Sequence, residues 1–296
     1  MTMKKIIIVT GGAGFIGTNL IKLLIKKTSF KIISLDNYST GKKKNHLKDK
    51  RITYIKGDTS NFNKIFKSLR KKIIVIFHFA EFSRIYQSFF SIKSCFKYNI
   101  TGTLQVLQFC LDNNIKIIYS ATSASLGNNQ NDQFLSPYAY SKSFNMNLIL
   151  NLAEWKNLKY EIVYFYNVYG PHQIINSKMA AVLGVFERQY LNKEKLTVVS
   201  PGTQTRRFTH VNDTVEACFK AWKLDKNRQY SVFSKKSYSI IQLANFFGSE
   251  FKFIKSRMGE RFNSKIINRL RGAKIYKITG KTDIKDYIKD FIKHKK

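Results

Sequence analysis

Along the first half of the chain, short unbroken runs of apolar and β-branched residues alternate with longer stretches whose apolar positions recur every three to four residues. The runs at 6–10, 31–35, 52–56, 73–77 and 115–119 predict strands; the stretch behind Gly17 and those at 61–69, about 89–113 and 138–155 predict helices. Strands that are apolar on both faces, separated by helices, imply a parallel sheet covered on both sides. The expected fold is therefore α/β, a doubly wound parallel sheet of the Rossmann kind over residues 1–170, whose chemistry belongs at the carboxyl ends of its strands. Past Pro171, helices at 178–190, 238–247 and 283–292 and a strand at 196–199 predict a smaller α/β lobe over 171–296, the chain crossing back to the sheet around 208–233.

The first strand ends in Gly11-Gly12-Ala13-Gly14-Phe15-Ile16-Gly17 and reopens as a helix. In such a strand–turn–helix unit Gly11 permits a tight turn, Gly14 lets a diphosphate approach the backbone and Gly17 lets the helix lie against the strand. The second strand ends on Asp36, about 20 residues after the turn, where a carboxylate accepts from ribose hydroxyls and repels a 2′-phosphate. The expected cofactor is NAD. Asn37 opens a polar loop suited to close over that ribose, and Asp58, after the third strand, is placed to accept from the adenine amino group. His78, ending the fourth strand in His78-Phe79-Ala80-Glu81, reads as a packed strand-end histidine rather than a catalyst.

Composition narrows the class. With 296 residues, 44% of them hydrophobic, the chain builds a sizeable core. It holds no run of about 18 apolar residues, and the first strand begins almost at once, so neither a membrane span nor a signal peptide is expected and the location reads as cytoplasmic. Cys95, Cys110 and Cys218 are widely spaced among apolar neighbours and read as reduced, buried thiols; no metal site is expected. The formal charge of +34 is scattered, with short runs at Lys42 to Lys44, Lys71-Lys72 and Lys293 to Lys296, and reads as a solvated basic surface rather than a nucleic-acid stripe.

The fifth strand ends in Ser120-Ala121-Thr122-Ser123-Ala124, and Ser136-Pro137-Tyr138-Ala139-Tyr140-Ser141-Lys142 opens the next helix. Tyr138 and Lys142, four residues apart, share one helix face, and an ammonium there is expected to draw the phenol pKa down from about 10, making Tyr138 a usable base.

Together with Tyr166-Asn167-Val168-Tyr169-Gly170-Pro171, Thr205-Arg206-Arg207-Phe208-Thr209-His210-Val211-Asn212-Asp213 and Arg257-Met258-Gly259-Glu260, these motifs resemble the extended short-chain dehydrogenase/reductase family, in its NAD-dependent nucleotide-sugar epimerase/dehydratase branch. The resemblance spans essentially the whole chain and makes the second lobe substrate-binding. It implies a cofactor site drawing on Gly11, Gly14, Phe15, Ile16, Gly17, Asp36 and Asn37, with Asp58, Phe79, Ala80, Asn99, Tyr138 and Lys142. It implies Tyr138 as proton acceptor, Thr122 as the bridge to a sugar hydroxyl, Lys142 on the nicotinamide ribose, and Asn167, Arg206 and Arg257 at the substrate diphosphate.

Dehydratases of this branch carry two carboxylates where Ser123 and Ala124 stand, and decarboxylases usually a glutamate, so the resemblance favours a 4-epimerase of a UDP-hexose or UDP-N-acetylhexosamine, with a C4 dehydrogenase or reductase as the alternative. From another class, a non-catalytic NAD-binding module docking through its basic surface to nucleic acid or an anionic membrane is disfavoured by the intact Thr122, Tyr138 and Lys142. The resemblance also implies a homodimer through the helices near 89–112 and 139–155.

Overall fold

The computed structural model describes residues 5–126, 132–263 and 265–294. The last two lysines of the 293–296 run lie outside them. The first half runs β1 (Ile6–Thr10), α1 (Phe15–Lys27), β2 (Lys31–Asp36), β3 (Ile52–Lys56), α2 (Phe62–Phe66), β4 (Ile73–His78), α3 (Ile85–Ser88), α4 (Ile92–Phe96), α5 (Gly102–Asn113), β5 (Lys116–Thr122), α6 (Pro137–Lys156) and β6 (Tyr160–Phe165).

Among the described residues nine strands form one sheet, in the order Arg269–Leu270, Ala273–Thr279, Gln229–Phe233, β6, β5, β4, β1, β2, β3. Every neighbouring pair is parallel except the outermost, where Arg269–Leu270 runs against Ala273–Thr279. Alternate residues of β1 enter opposite cores: Ile6 and Ile8 pack with Val106, Leu107, Met146 and Ile149, whereas Ile7 and Val9 pack with Leu20, Leu24, Val215 and Cys218. Burial on both faces is the reason these strands read as unbroken apolar runs.

The chain winds outward from β1 through β2 to β3, then returns to lay β4 on the other side of β1, which opens a crevice between the carboxyl ends of β1 and β4. Register aligns those ends, with Thr10 beside both Leu35 and His78, and His78 beside Tyr119. Gly11, Asp36, Phe79 and Ser120 consequently emerge along one edge of the sheet.

Several elements differ from expectation. The helix expected at 89–113 is broken into α4, a π-helical turn over Lys97–Thr101, and α5. At the break a Cβ on Gly102 would stand 2.2 Å from Thr59 Oγ1, so the helix passes the loop after β3 at a distance only glycine allows. The return to the sheet is longer than the expected 208–233. Helix Val211–Leu224 lies in the core beside α1 and Gln229–Phe233 joins β6, but Ala273–Thr279 then adds a further parallel strand. Before, between and after these returns, helices Val182–Leu191, Ile240–Phe246 and Ile284–Lys293 close a third core over the parallel pair Leu196–Val199 and Phe251–Ile254. Cys95, Cys110 and Cys218 are free and buried. Among the described residues no helix is long and apolar enough to cross a membrane, and no cluster of three potential metal ligands exists.

Candidate active site

A cleft of about 640 Å³ opens at the carboxyl ends of the strands and reaches the third core. One end is the glycine turn. Gly11 takes φ +69°, and a Cβ there would meet the Phe79 carbonyl at 2.8 Å, so only glycine lets β1 turn this close to the exit of β4. Gly14 faces the cleft at the N-terminus of α1, a helix with no side-chain cap and no acidic residue in its first turn, so its free N–H groups are available to an anion. Asp36 is buried at the end of β2, its Oδ2 accepting from Ala13 N at 3.0 Å and its Oδ1 from Tyr38 N at 2.8 Å. Burial raises its pKa, with the backbone donors opposing that rise. An uncapped helix end, a glycine-lined wall and a carboxylate at the second strand fit the diphosphate and ribose of a dinucleotide.

Phe15, Ile16, Gly17, Asn37, Phe79 and Ala80 line the same cleft, as do Thr122, Tyr138, Lys142, Asn167, Arg206 and Arg257. Two expected cofactor residues do not. Asp58 caps the short helical turn after β3, its Oδ1 accepting from Ser60 N at 2.9 Å, while its neighbours Gly57 and Thr59 face the cleft. Asn99 is fully buried in the π-helical turn; it accepts from Phe82 N at 2.6 Å and donates to Phe82 O at 3.1 Å and to Ser141 Oγ at 2.9 Å. It clamps the loop after β4.

His78 is packed, as its position suggested. Thr10 Oγ1 accepts from Phe79 N and Ala80 N, so its own proton goes to His78 Nδ1 at 2.8 Å, and His78 Nε2–H donates to Thr103 Oγ1 at 2.9 Å. Burial pushes this imidazole down to about 4, so it stays neutral.

Ser136 caps α6, its Oγ accepting from Ala139 N at 3.1 Å, with Pro137 in the first turn. That start sets Tyr138 and Lys142 on the face turned to β5 and the cleft. The expected depression of the phenol is not found. Tyr138 is pushed up to about 12, first by burial; the Thr122 hydroxyl and the Arg84 guanidinium pull it down, while Glu81 adds to the rise. Lys142 does not act as the uncompensated cation that expectation needed. Its ammonium is ion-paired to Glu81 Oε2, donates to the Ser120 carbonyl, and lies 4.3 Å from the Tyr119 ring centroid.

Sequence reasoning assigned no role to Glu81, although its place three residues beyond His78, at the carboxyl end of a central strand, marks it for the cleft. Arg84 and Arg261 were also missed. Arg84 lines the cleft near Tyr138 and is held by the Met179 and Ser83 carbonyls. Arg261, just past the Arg257-Met258-Gly259-Glu260 motif, pairs with Asp132 at 2.7 Å and donates to Ser123 Oγ and O, each at 3.3 Å, pinning the exit of β5. Arg206 reaches the cleft with Glu260 as its counterion at 2.9 Å, and Arg257 lies 5.3 Å from the Tyr86 ring centroid.

Residues 7–234 match the profile of the NAD dependent epimerase/dehydratase family. The UDP-N-acetyl-alpha-D-glucosaminuronate decarboxylase of Bacillus cytotoxicus is 31% identical, over 74% of this chain and 71% of its own. A putative UDP-glucose 4-epimerase of Methanocaldococcus jannaschii is 28% identical over 92% and 88% respectively. Among solved structures, the UDP-N-acetylglucosamine 4-epimerase of Methanobrevibacter ruminantium M1, in complex with UDP-N-acetylmuramic acid, superposes with a TM-score of 0.84 and 28% identity, covering 99% of this chain and 98% of that one.

Proposed function

Because the chain belongs to the NAD-dependent epimerase/dehydratase family, we propose that it is a nucleotide-sugar 4-epimerase, acting on a UDP-hexose or UDP-N-acetylhexosamine through a transient 4-keto sugar. The observation that carries this reading is Thr122 and Tyr138 facing a cleft whose other end is the Gly11 to Gly17 turn, with Ser123 and Ala124 rather than carboxylates following Thr122. Dehydration of the sugar needs an acid and a base at those two positions; simple oxidation and reduction at C4 does not.

The α1 N-terminus and Gly14 would hold the cofactor diphosphate and Asp36 its adenosine ribose. NAD, when bound, supplies reversible hydride chemistry at the sugar C4. Tyr138 Oη takes the proton of the sugar 4-hydroxyl and returns it on the way back, and Thr122 Oγ1 bridges the two oxygens. Arg257 and Arg206, with Asn167, neutralise and orient the substrate diphosphate, a task suited to guanidinium forks. The lobe built on the third core closes the sugar end, so residues 171–296 act mainly on the substrate.

Incubation with UDP-glucose or UDP-N-acetylglucosamine and catalytic NAD should give the C4 epimer without net NADH. Tyr138→Phe should lower turnover by at least about 10²-fold while NAD still binds. Stoichiometric NADH would instead mark a C4 dehydrogenase, and CO₂ release from a UDP-uronic acid a decarboxylase like the Bacillus relative.

A homodimer belongs to the same reading. Ile92, Leu104, Tyr140 and Phe144, on α4, α5 and α6, are exposed apolar side chains suited to a helical interface. Light scattering of wild type against Leu104→Lys tests it, the variant running as a monomer. Three free thiols and a nucleotide substrate support the reading that the enzyme works in a reducing compartment such as the cytoplasm.

A further inference from the structure

The chemistry outlined above leaves Glu81 without a role, yet its side chain is only 3% exposed and its carboxylate gathers four partners. Oε1 accepts from Tyr119 Oη at 2.9 Å, Asn145 Nδ2 at 3.0 Å and Thr103 Oγ1 at 3.3 Å, while Oε2 pairs with Lys142. The Asn99 clamp on Phe82 fixes the backbone beside it. A buried carboxylate satisfied from β5, α5 and α6 is held in one place, and it holds Lys142 in turn. The ammonium lies between Glu81, the Ser120 carbonyl and the Tyr119 ring, on the face that also carries Tyr138.

We propose that Glu81 is a positioning residue of the active site: acting through Lys142, it cancels much of the ammonium's charge and so sets the pH at which the Tyr138 phenol gives up its proton. The proposal rests on Tyr138 as the proton-transfer group.

The titratable groups facing the pair are His78 from β4, Tyr119 from β5, Cys95 from α4 and Tyr138 from α6, and Arg84, from the loop after β4, faces Tyr138. His78 is held neutral, and burial pushes Cys95 and Tyr119 up, which keeps them neutral as well. The charges near the phenol at neutral pH are therefore Glu81, Lys142 and Arg84. A lone ammonium within reach of a phenol favours the phenolate, whereas an ammonium paired to a carboxylate offers it little net field.

The test is a titration of Tyr138 in the NAD-loaded protein without sugar, read as the phenolate absorbance of each variant minus that of the matching variant also carrying Tyr138→Phe. Glu81→Gln, near in shape and still able to accept from Tyr119 and Asn145, should lower the Tyr138 midpoint by about one pH unit, a roughly tenfold gain in phenolate below the midpoint. The acid limb of kcat/KM should move down equally. Glu81→Asp, which keeps the charge, should stay within about 0.3 unit of wild type.

An unchanged midpoint in Glu81→Gln, or the same displacement in both variants, overturns the proposal. Should Glu81→Gln not fold, the double variant Glu81→Gln/Lys142→Met, which buries no lone charge, carries the test. Its midpoint should match wild type within about 0.3 unit, and a rise of about one unit would show that Tyr138 feels the full lysine charge. No sugar is involved, so failure to epimerise any UDP-sugar leaves this outcome untouched.

Discussion

A phenol half-buried in the cleft, as Tyr138 is, loses much of the water that would stabilise its anion, and Lys142, the group placed to replace that water, is already paired with Glu81. Tyr138 and Lys142 were legible because a helix puts residues four apart on one face. Their electrostatics were not, because the counterion lies 61 positions away in sequence. His78 carries a second consequence. Its folded pKa is near 4 against an ordinary 6.5, so the unfolded chain binds a proton there that the folded chain refuses. Stability is complete above pH 6.5 and falls as pH drops toward 4, by on the order of 3 kcal/mol. Urea melts between pH 7 and 4.5 should show that slope, and His78→Gln should flatten it. On the proposed reading Asp36 holds the adenosine ribose, so Asp36→Asn should weaken NAD and narrow its advantage over NADP, read by titrating both against intrinsic fluorescence.

The unit of β1, turn and α1 was readable because its pattern of apolar strand, spaced glycines and helix is local in sequence. Gly14 and Gly17 answer to atoms of the turn itself, while Gly11 and Gly12 answer to Phe79 after β4 and Ser34 on β2, which flank β1 in the sheet. A Cβ on Gly17 would lie 2.2 Å from the Gly11 carbonyl, so Gly17→Ala must push α1 off β1. We expect a loss of about 1–3 kcal/mol in a denaturant melt together with loss of NAD binding; a variant that binds NAD normally would refute that account of the turn. The helix at 89–113 was less readable. Its periodicity runs on, but the π-helical turn answers to Thr59 and Phe82, which only the fold brings near. Strand Ala273–Thr279 escaped for a related reason: it lies near the edge of the sheet, half exposed and carrying lysines, so it lacks the apolar run that marks β1, β4 and β5.

Over the whole molecule, 52 lysines and arginines face 18 acidic residues. The buried ion pairs use few of the acids, Glu81 with Lys142, Glu161 with Lys116 and Asp132 with Arg261, and a handful of others pair at the surface or in the cleft, such as Asp49 with Arg51 and Glu260 with Arg206, so the cations far outnumber their counterions across the surface. Salt should therefore raise the melting temperature between about 20 and 300 mM NaCl, since screening acts on exposed charges far more than on buried pairs. A melting temperature that falls over that range would mean the surface is held by attraction. By itself the sequence determined the parallel doubly wound sheet, the dinucleotide turn and the Tyr138/Lys142 pair, because each is written in the periodicity or spacing of neighbouring residues. Only the tertiary structure decided that Asn99 is a clamp, that Arg261 pins the exit of β5, and that Glu81 answers Lys142 in the cleft that Gly11 to Gly17 begins. Those roles depend on charges and hydrogen bonds between residues far apart in the chain, which interact only once the strand ends have been brought to one edge.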